Sequence, residues 1–381
     1  MYLSESHIQV RDMARQFADD IIRPVAAALD QEERFPADIY EQMAGLGLFG
    51  IGVPESSGGA GFDVLAYALV MEELSRGYSS IADQCGLVEL ICTLLVEHGT
   101  EEQRERWLAP AMSLETRLAY CITESEAGSD VSAIRTTASR ETDGWRLNGS
   151  KIWIHNAPVA DTGFVLARTD KDAGHRGMSI FIVDLHAPGV KRGPKEEKMG
   201  QRASQVGTLT FSDVMIPPEA LLGTEGRGFH MMMSVLDKGR IGIAALAVGI
   251  GQAALEAALD YAQQRQQFGS KISDFQGVQW LLADMAKDVE AARLLVHSAA
   301  VKMDRGENVT KACSMAKCFA ADTAVSRTAD AVQVFGGSGY IRGFEVERLY
   351  RDAKITQIYE GTNQIQRMII ARELIKHGAR G

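Results

Sequence analysis

One acid near the C-terminal end of the chain stands where a residue could do chemistry. Residues 357–367 read QIYEGTNQIQR. Glu360 is followed at once by three residues that are poor in a helix interior, Gly361, Thr362 and Asn363. Such a run is typical of a helix N-terminus, where Thr or Asn caps the first turn. Two interpretations stay open: Glu360 is only a neighbour of the cap, or it is a base directed into a pocket.

Two stretches in the middle of the chain could contact a ligand. Residues 119–130, AYCITESEAGSD, predict a short apolar strand and a loop whose backbone N–H groups can bind anionic or carbonyl oxygens. Residues 151–156, KIWIHN, contain an aromatic side chain, Trp153, and an imidazole, His155. Taken alone, these patterns favour a strand-to-loop junction, a core tryptophan and a satisfied loop histidine.

Three stretches in the C-terminal part place polar or small residues at helix ends. Residues 235–242, VLDKGRIG, favour a solvated polar face at the start of a long helix. Residues 265–269, RQQFG, provide a cation that complements a helix dipole. Residues 333–340, QVFGGSGY, suit a helix C-cap, or a backbone that approaches a ligand closely. No G-x-G-x-x-G run follows a predicted strand, so the sequence does not predict a Rossmann dinucleotide site.

Three zones of different periodicity must position these residues. Residues 1–115 alternate helical patterns with glycine-rich loops, and residues 116–225 are rich in β-formers. In this second zone Asn148-Gly149 predicts a hairpin turn between two strands. Residues 226–381 return to long helical patterns joined by short loops. The predicted fold class is α+β, with an N-terminal α-helical domain, a middle antiparallel β-domain and a C-terminal four-helix bundle.

Composition narrows the classes of function. A chain of 381 residues can bury a large core, and its formal net charge of −10 argues against a nucleic-acid partner. The five cysteines are odd in number and form no C-x-x-C pair, so we expect small core residues and neither a disulfide framework nor a metal site. The N-terminus lacks the pattern of a secretory signal, and we predict no membrane span. A reducing cytoplasm is the expected location.

The order and spacing of these stretches indicate more than each one alone. YCITESEAGSD, KIWIHN, RQQFG, QVFGGSGY and IYEGTNQIQR follow one another over about 250 residues. Together with EKMGQRAS and GTEGRGF they resemble the acyl-CoA dehydrogenase family of flavoproteins, and the resemblance covers nearly the whole chain. It implies that FAD binds between the β-domain and the C-terminal bundle.

The resemblance also implies which positions contact the cofactor and the substrate. The expected FAD contacts are Tyr120, Ile122, Thr123, Gly128, Ser129, Trp153, Ile154, His155, Arg265, Phe268, Phe275, Gln276, Gln333, Gly336, Gly337, Thr362 and Gln364. Those from Arg265 to Gly337 match positions that reach the ADP part of the cofactor across a subunit interface. The expected substrate contacts are Ser129, Asp237, Arg240 and Gly361.

The same resemblance gives Glu360 a role. In the family, the acid of this segment removes the proton alpha to the thioester carbonyl, a hydride leaves to flavin N5, and the product is a trans-2-enoyl-CoA. A free Glu titrates near about 4.3, so we expect burial to raise its pKa. Members that place their base elsewhere have it at the position occupied here by Gly239, which cannot act as one.

Two residues depart from the family pattern. His155 stands where a Thr or Ser usually donates toward flavin N5; it could donate there as well, or point away. Glu89 lies in the apolar stretch GLVELICTLLVEHG. It either turns to a polar neighbour or a subunit contact, or shapes a pocket for a polar acyl group with Cys92 and Thr93 beside it. The length and branching of the acyl chain are not predicted.

The resemblance implies an acyl-CoA thioester substrate, an electron-transferring flavoprotein as partner, a homotetramer and a place in fatty acid metabolism. Related functions stay open: an acyl-CoA oxidase, a reductase that runs the reaction backward, or a homologue that acts on a carrier-protein thioester. A non-catalytic flavin or acyl-CoA binding protein would need no Glu360. A structural helical assembly protein would leave the ordered motifs unexplained.

Overall fold

Helices occupy both ends of the chain and strands its middle in the computed structural model, which describes residues 3–378. The N-terminal helices are α1 (Glu5–Phe17), α2 (Arg23–Glu32), α3 (Ala37–Gly45), α4 (Val64–Gly77), α5 (Ser79–His98) and α6 (Glu101–Met112). One π-helical turn joins α1 to α2. Side chains of Ser4, Asp63 and Thr100 accept N–H bonds at the starts of α1, α4 and α6, as N-caps do.

Eight strands follow and form one sheet. They are β1 (Leu118–Cys121), β2 (Thr137–Glu141), β3 (Gly144–His155), β4 (Thr162–Arg168), β5 (Met178–Asp184), β6 (Val190–Arg192), β7 (Val206–Ile216) and β8 (Leu221–Leu222). The order is β6-β7-β3-β2-β4-β5-β8, with β1 paired to β4. Most pairs are antiparallel, as expected, but β1 runs parallel to β4 and β2 makes one parallel contact with it. The sheet is therefore mixed.

The hairpin turn expected at Asn148-Gly149 is wrong. Strand β3 continues through both residues, and a register shift against β7 marks a bulge there. The Asn148 amide donates to Asp213 Oδ1 at 3.0 Å and accepts from the Asp213 N–H at 2.8 Å, which closes the bulge. Gly149 has φ 147°, and a Cβ there would lie 2.4 Å from Thr136 Oγ1. The Asn-Gly pair therefore lies opposite a bulge of β7 and does not form a turn.

The C-terminal part consists of three long helices and two shorter ones. They are α7 (Gly228–Gln264), α8 (Gln276–Asp304), α9 (Thr310–Phe335), α10 (Glu345–Ala353) and α11 (Asn363–His377). A small hairpin of β9 (Gln266–Gln267) and β10 (Ser270–Lys271) follows α7. Helix α7 also packs tightly on α4, because a Cβ at Gly249 would lie 2.2 Å from the Glu72 carbonyl oxygen.

Two helices, α5 and α7, are long and apolar enough to cross a membrane by length and composition alone. In their most apolar 18-residue windows, 72% of the residues of α5 and 83% of those of α7 are buried inside the fold. Burial of this kind is what the core helices of a globular protein show. The five cysteines are likewise buried and unbridged, as expected of small core residues.

A buried ion pair fastens the loop after β1 to strand β3. The Lys151 side chain is fully buried, and its Nζ donates to the Ile122 carbonyl at 2.9 Å and to Glu124 Oε1 at 2.7 Å. Glu124 also accepts from the backbone N–H groups of Arg135 and Thr136. Removing one partner of such a pair commonly costs about 3–5 kcal/mol. The pair therefore fixes the loop of residues 122–136 at the edge of the sheet.

Candidate active site

Glu360 lies in a tight turn just before α11. Its φ is 54° and that of Gly361 is 87°, so two successive residues adopt left-handed backbone conformations. Thr362 caps α11, as expected, by accepting the Ile365 N–H at 3.3 Å. The Gln366 amide donates to the carbonyls of both Glu360, at 3.1 Å, and Gly361, at 3.0 Å. Residues at the start of α11 thus hold the strained turn that precedes this helix.

The carboxyl of Glu360 points toward helix α7. A Cβ built on Gly239 would lie 2.9 Å from Glu360 Oε2 and 3.1 Å from Leu90 Cδ1. Oε2 is buried and has no hydrogen-bond partner among residues 3–378. Gly239, the position from which some relatives supply a base, therefore contributes no side chain here but leaves space at the carboxyl of Glu360.

Burial raises the pKa of Glu360 to about 7, and the charge of Asp83 acts in the same direction. The cations Arg240 and Lys317 oppose this rise. A carboxyl with such a pKa can accept a proton near pH 7, which a free Glu does poorly. The expectation of a raised pKa is therefore met by the environment of the side chain.

Several polar groups around this carboxyl lack partners. The N–H of Glu360 donates to no backbone or side-chain acceptor among residues 3–378. Tyr120 Oη and His155 Nε2 are buried and unpartnered as well. The Glu360 charge contributes to the raised pKa of Tyr120, of which burial is the main cause. Buried polar groups nearly always have partners in proteins, so these atoms indicate the wall of a polar ligand site.

His155 turns its Nδ1 toward Asp83 of α5. The distance to Asp83 Oδ2 is 3.2 Å, and Ser204 Oγ donates to the same oxygen at 3.2 Å. Burial lowers the pKa of His155, although Asp83 opposes that shift. His155 Nδ1 thus lies beside the Asp83 carboxylate, and Nε2 is left buried without a hydrogen-bond partner among residues 3–378. Contact between this nitrogen and the flavin remains a prediction.

Trp153 is not a core residue, so the interpretation favoured by its pattern is wrong. Its side chain is 64% exposed and its φ is 54°, which turns it out of strand β3. The next residue, Ile154, is buried in the sheet core and offers a ligand at most its backbone. An exposed indole held by an unusual backbone conformation suits a flat aromatic ligand or a partner.

The remaining predicted residues of the middle domain lie in the loop that Lys151 fastens. Ile122 and Thr123 are half-buried, and their carbonyls accept from Lys151 Nζ and the Ile152 N–H. Gly128 and Ser129 are exposed, and an added Cβ at Gly128 would meet nothing within 4 Å. The loop presents its backbone to open space, as a ligand-binding loop does.

Asp237 and Arg240 form a pair rather than the solvated face that their pattern favoured. Arg240 Nη1 donates to Asp237 Oδ1 at 2.6 Å, and Thr310 Oγ1 donates to Asp237 Oδ2 at 2.9 Å. Arg240 is only 8% exposed. Its charge lowers the pKa of Glu360 more than any other group does. The pair belongs to the surroundings of Glu360, as the predicted substrate contacts should.

A second group of predicted residues is exposed around the ends of α7 and α9. Phe268 is 96% exposed with φ 53°, and its ring meets that of Phe275 edge-on at 6.1 Å. Added Cβ atoms at Gly336 and Gly337 would touch nothing within 4 Å. The other members, Arg265, Gln276 and Gln333, are exposed as well, and so is Gln364 in the first turn of α11.

The structure adds three residues that the motifs did not include: Tyr67, Asp83 and Lys317. Lys317 Nζ donates to the Gly361 carbonyl at 2.8 Å from within α9. A signal for it exists, because its helical neighbours Cys313, Ala320, Ala321 and Ala324 are apolar and place it on a buried face. Tyr67 and Asp83 carry no comparable signal, since their roles depend on contacts between α4, α5 and other elements.

Tyr67 fills the space beside Glu360 between three helices. A Cβ on Gly242 of α7 would lie 2.2 Å from its hydroxyl oxygen, and one on Gly86 of α5 would lie 3.5 Å from it. The side chain is buried, and burial raises the pKa of its hydroxyl. Charges of Glu89 and Glu360 contribute to that shift, so the phenol lies near both carboxyls. The Tyr67 ring therefore closes the space between α4, α5 and α7 beside Glu360.

Glu89 turns to a polar neighbour, the first of its two interpretations. Its Oε1 lies 2.5 Å from Lys238 Nζ and accepts the Gly52 N–H at 2.9 Å. Lys238 Nζ also donates to Thr93 Oγ1 at 3.0 Å. The pair precedes the contact of Gly239 with Leu90 by one residue on each helix, so it braces α5 against α7 beside the candidate site.

Three family patterns match the chain. "Acyl-CoA dehydrogenase, N-terminal domain" matches residues 4–115, the corresponding middle domain matches residues 119–214, and the C-terminal domain matches residues 226–375.

Individual proteins resemble the chain over its whole length. The mitochondrial short-chain specific acyl-CoA dehydrogenase of Bos taurus is 44% identical over 98% of this chain and 91% of that protein. CarC, a subunit of the caffeyl-CoA reductase-Etf complex of Acetobacterium woodii, is 42% identical over 99% of this chain and 100% of its own. The solved butyryl-CoA dehydrogenase of Megasphaera elsdenii superposes with a TM-score of 0.96 at 40% identity, over 98% and 99% of the two chains.

The raised pKa of Glu360 predicts that its ionised form lowers the free energy of unfolding at high pH. A carboxyl whose pKa is about 7 in the fold, against an ordinary 4.5, stabilises the fold fully only below pH 4.5, and that contribution is lost as the pH rises through 7. We expect Glu360→Gln to raise the free energy of unfolding by about 1–3 kcal/mol at pH 9 and by little at pH 4.5. Urea unfolding at several pH values measures this.

The matched control is Glu41→Gln, which replaces an exposed carboxyl of α3. We expect it to show no such dependence on pH. Equal effects of Glu360→Gln at pH 4.5 and pH 9 would contradict the raised pKa.

Proposed function

Because the chain belongs to the acyl-CoA dehydrogenase family, we propose that this site dehydrogenates the α,β-bond of a short-chain acyl-CoA, with Glu360 as the base. The protein is an FAD-dependent oxidoreductase acting on CH–CH groups. The observation that carries the assignment of the base is the buried, unpartnered carboxyl of Glu360 with a pKa near 7. The product is the trans-2-enoyl-CoA, and the electrons pass to an electron-transferring flavoprotein.

The residues around Glu360 suit the abstraction of a proton alpha to a thioester. Its free N–H can donate to the thioester carbonyl, which acidifies the adjacent C–H and stabilises the developing enolate charge. The carboxylate then takes the proton from that carbon. Gly239 has no side chain to push the carboxyl away from α7, since a Cβ there would lie 2.9 Å from Glu360 Oε2. FAD, when bound, supplies the acceptor for the hydride that leaves the β-carbon.

The residues present fit FAD. Trp153 offers an exposed indole two residues from His155, whose buried Nε2 has no partner, and the loop at Gly128 and Ser129 offers an open backbone. We propose that these residues, with Tyr120, Thr123 and the cap residue Thr362, hold the flavin and ribityl part. The backbone of Ile122 and Ile154 would complete this wall.

The exposed group at the ends of α7 and α9 supports a shared ADP site. We propose that Arg265, Phe268, Phe275, Gln276, Gln333, Gly336 and Gly337 contact the ADP part of FAD bound in a neighbouring subunit, and that the protein is a homotetramer. A phenylalanine that is 96% exposed is unusual on a free surface and supports burial by a partner. The shared site requires a neighbouring subunit, so assembly and FAD binding are tested together.

The closed end of the acyl space supports a short substrate. Tyr67 occupies the volume between Gly86 and Gly242 into which a longer chain would extend. The relatives named for short-chain and butyryl-CoA substrates agree with this inference. We also propose a place in cytoplasmic fatty acid metabolism, which the five unbridged cysteines support through a reducing compartment.

A reductase that runs the same reaction backward is a second candidate, favoured by the similarity to the caffeyl-CoA reductase subunit. The same base would then deliver the α-proton to an enoyl-CoA. Anaerobic mixing of oxidised enzyme with butyryl-CoA, and of reduced enzyme with crotonyl-CoA, separates the two directions by the change in flavin absorbance.

Glu360→Gln tests the base. We expect the variant to retain FAD and to bind butyryl-CoA, because the amide keeps the shape of the side chain, but to reduce its flavin at least 10³-fold more slowly. Anaerobic stopped-flow absorbance measures the rate. Flavin reduction at the parent rate would remove Glu360 from the mechanism.

Tyr67→Ala tests the limit on chain length. Removing the ring opens space beside Glu360, so we expect kcat/KM for octanoyl-CoA relative to butyryl-CoA to rise about tenfold or more. Tyr67→Phe is the matched control, since it keeps the ring and should keep the parent ratio. The ratio is measured within each variant, so a general loss of stability does not disturb it. An unchanged ratio in Tyr67→Ala would contradict the proposed pocket end.

Phe268→Asp tests the shared ADP site. A charge at this exposed ring should weaken both assembly and FAD retention, so we expect a lower mass by light scattering and at least tenfold weaker FAD binding. Ile8→Asp, at an exposed position of α1, is the control and should change neither. Loss of FAD without any change in mass would separate the two halves of the proposal.

A further inference from the structure

We infer that Lys317 of α9 is a positioning residue for the proposed reaction: its ammonium anchors the turn that carries Glu360 and favours the carboxylate form of this base. The inference rests on the proposed function, since it concerns the same base. Lys317 was absent from the motifs that pointed to the site. It acts from behind the turn and not on the substrate.

The anchor is direct. Lys317 Nζ donates to the Gly361 carbonyl at 2.8 Å and to Asn363 Oδ1 at 3.2 Å. Asn363 in turn donates to the Cys318 carbonyl at 3.1 Å and to Asp322 Oδ1 at 2.7 Å. Helix α9 therefore holds Gly361, which directly follows the strained Glu360, and Asn363, the first residue of α11.

The charge of Lys317 is more than the anchor requires. The Gly361 carbonyl already accepts from the Gln366 amide, so a neutral donor would satisfy the turn. Lys317 is nevertheless fully buried, and burying an ammonium is expensive unless it is paired. The other fully buried lysine, Lys151, has Glu124 Oε1 at 2.7 Å. Among residues 3–378, no carboxylate forms an ion pair with Lys317 within 4.0 Å.

Among the acidic groups around Lys317, Glu360 favours its charged form most strongly. Burial lowers the pKa of Lys317 to about 8, and Glu360 is the strongest group that opposes this shift. Cys318 and Asp322 of α9 also favour its charged form, whereas Arg240 of α7 disfavours it. In return, Lys317 and Arg240 lower the pKa of Glu360 against burial and against Asp83 of α5.

The charge of Lys317 increases the fraction of Glu360 that is ionised near pH 7. With the ammonium in place, Glu360 titrates near neutrality in spite of its burial. Without it, the same burial would keep more of the carboxyl protonated at pH 7, and a protonated carboxyl cannot accept the α-proton. Burying the ammonium of Lys317 costs free energy, and it keeps a larger fraction of Glu360 ionised.

Three substitutions separate charge from anchoring. Lys317→Gln keeps a donor for the Gly361 carbonyl without charge, and Lys317→Arg keeps the charge. Asp322→Asn alters the other support of Asn363 and leaves both cations in place. The rate of flavin reduction by butyryl-CoA is measured anaerobically from pH 5.5 to 9 with the holoenzyme.

We expect the acid limb of the Lys317→Gln profile to move up by about one pH unit, with a roughly tenfold loss at the lowest pH and recovery toward the parent rate at high pH. Lys317→Arg should restore the parent profile. Asp322→Asn can slow the reaction and weakens one support of the charge of Lys317, but the ammonium stays, so its acid limb should move much less than that of Lys317→Gln. A loss in Lys317→Gln that is equal at every pH would overturn the electrostatic role.

A stability cycle gives a readout without turnover. If Lys317 favours the Glu360 carboxylate, Glu360→Gln should stabilise the Lys317→Gln protein at pH 8 more than it stabilises the parent. An equal gain in both backgrounds would overturn the inference even if Lys317→Gln is too weakly active to profile. Rapid flavin reduction by Glu360→Gln itself would instead sink the proposed function.

Discussion

The site depends on a carboxyl that is kept out of water without being neutralised. Glu360 has no direct ionic partner, yet two cations, Arg240 and Lys317, stand near enough to limit what burial does to its pKa. Closer cations would make it a salt bridge and a poor base, and their absence would leave it protonated. Helices α7 and α9 supply one cation each. The backbone turn supplies the carboxyl, with glycines on the facing sides.

Rigid supports around the site follow from this requirement. The strained turn is fixed by a helix cap, by Gln366 and by a lysine from a neighbouring helix. The loop of the middle domain is fixed by the Lys151–Glu124 pair. Helices α5 and α7 are braced by Glu89 and Lys238. Each support uses a buried polar contact where an apolar one could have stabilised the fold, which specifies one geometry at some expense of stability.

Local chemistry made part of this visible in the sequence. The Gly-Thr-Asn run predicted the helix start at Thr362 because capping is decided within four residues, and the change of periodicity predicted the helical and β zones. Trp153 and Arg240 were misjudged for opposite reasons. The exposure of Trp153 comes from a positive φ that no pattern announces, and the burial of Arg240 comes from packing against the rest of the fold. The Asn-Gly pair stays within β3 because it lies opposite a bulge of β7, where Asp213 exchanges hydrogen bonds with Asn148.

The wedge of Tyr67 between Gly86 and Gly242 links positions that are far apart in the chain. Gly242 cannot gain a side chain while the phenol stays, because a Cβ there would lie 2.2 Å from the hydroxyl oxygen. The phenol in turn cannot shrink without leaving a void among three helices. A residue larger than glycine at position 242 is therefore expected only where Tyr67 has been replaced by a smaller side chain. The evolution of chain-length preference should begin at Tyr67, and any change at Gly242 should come after it.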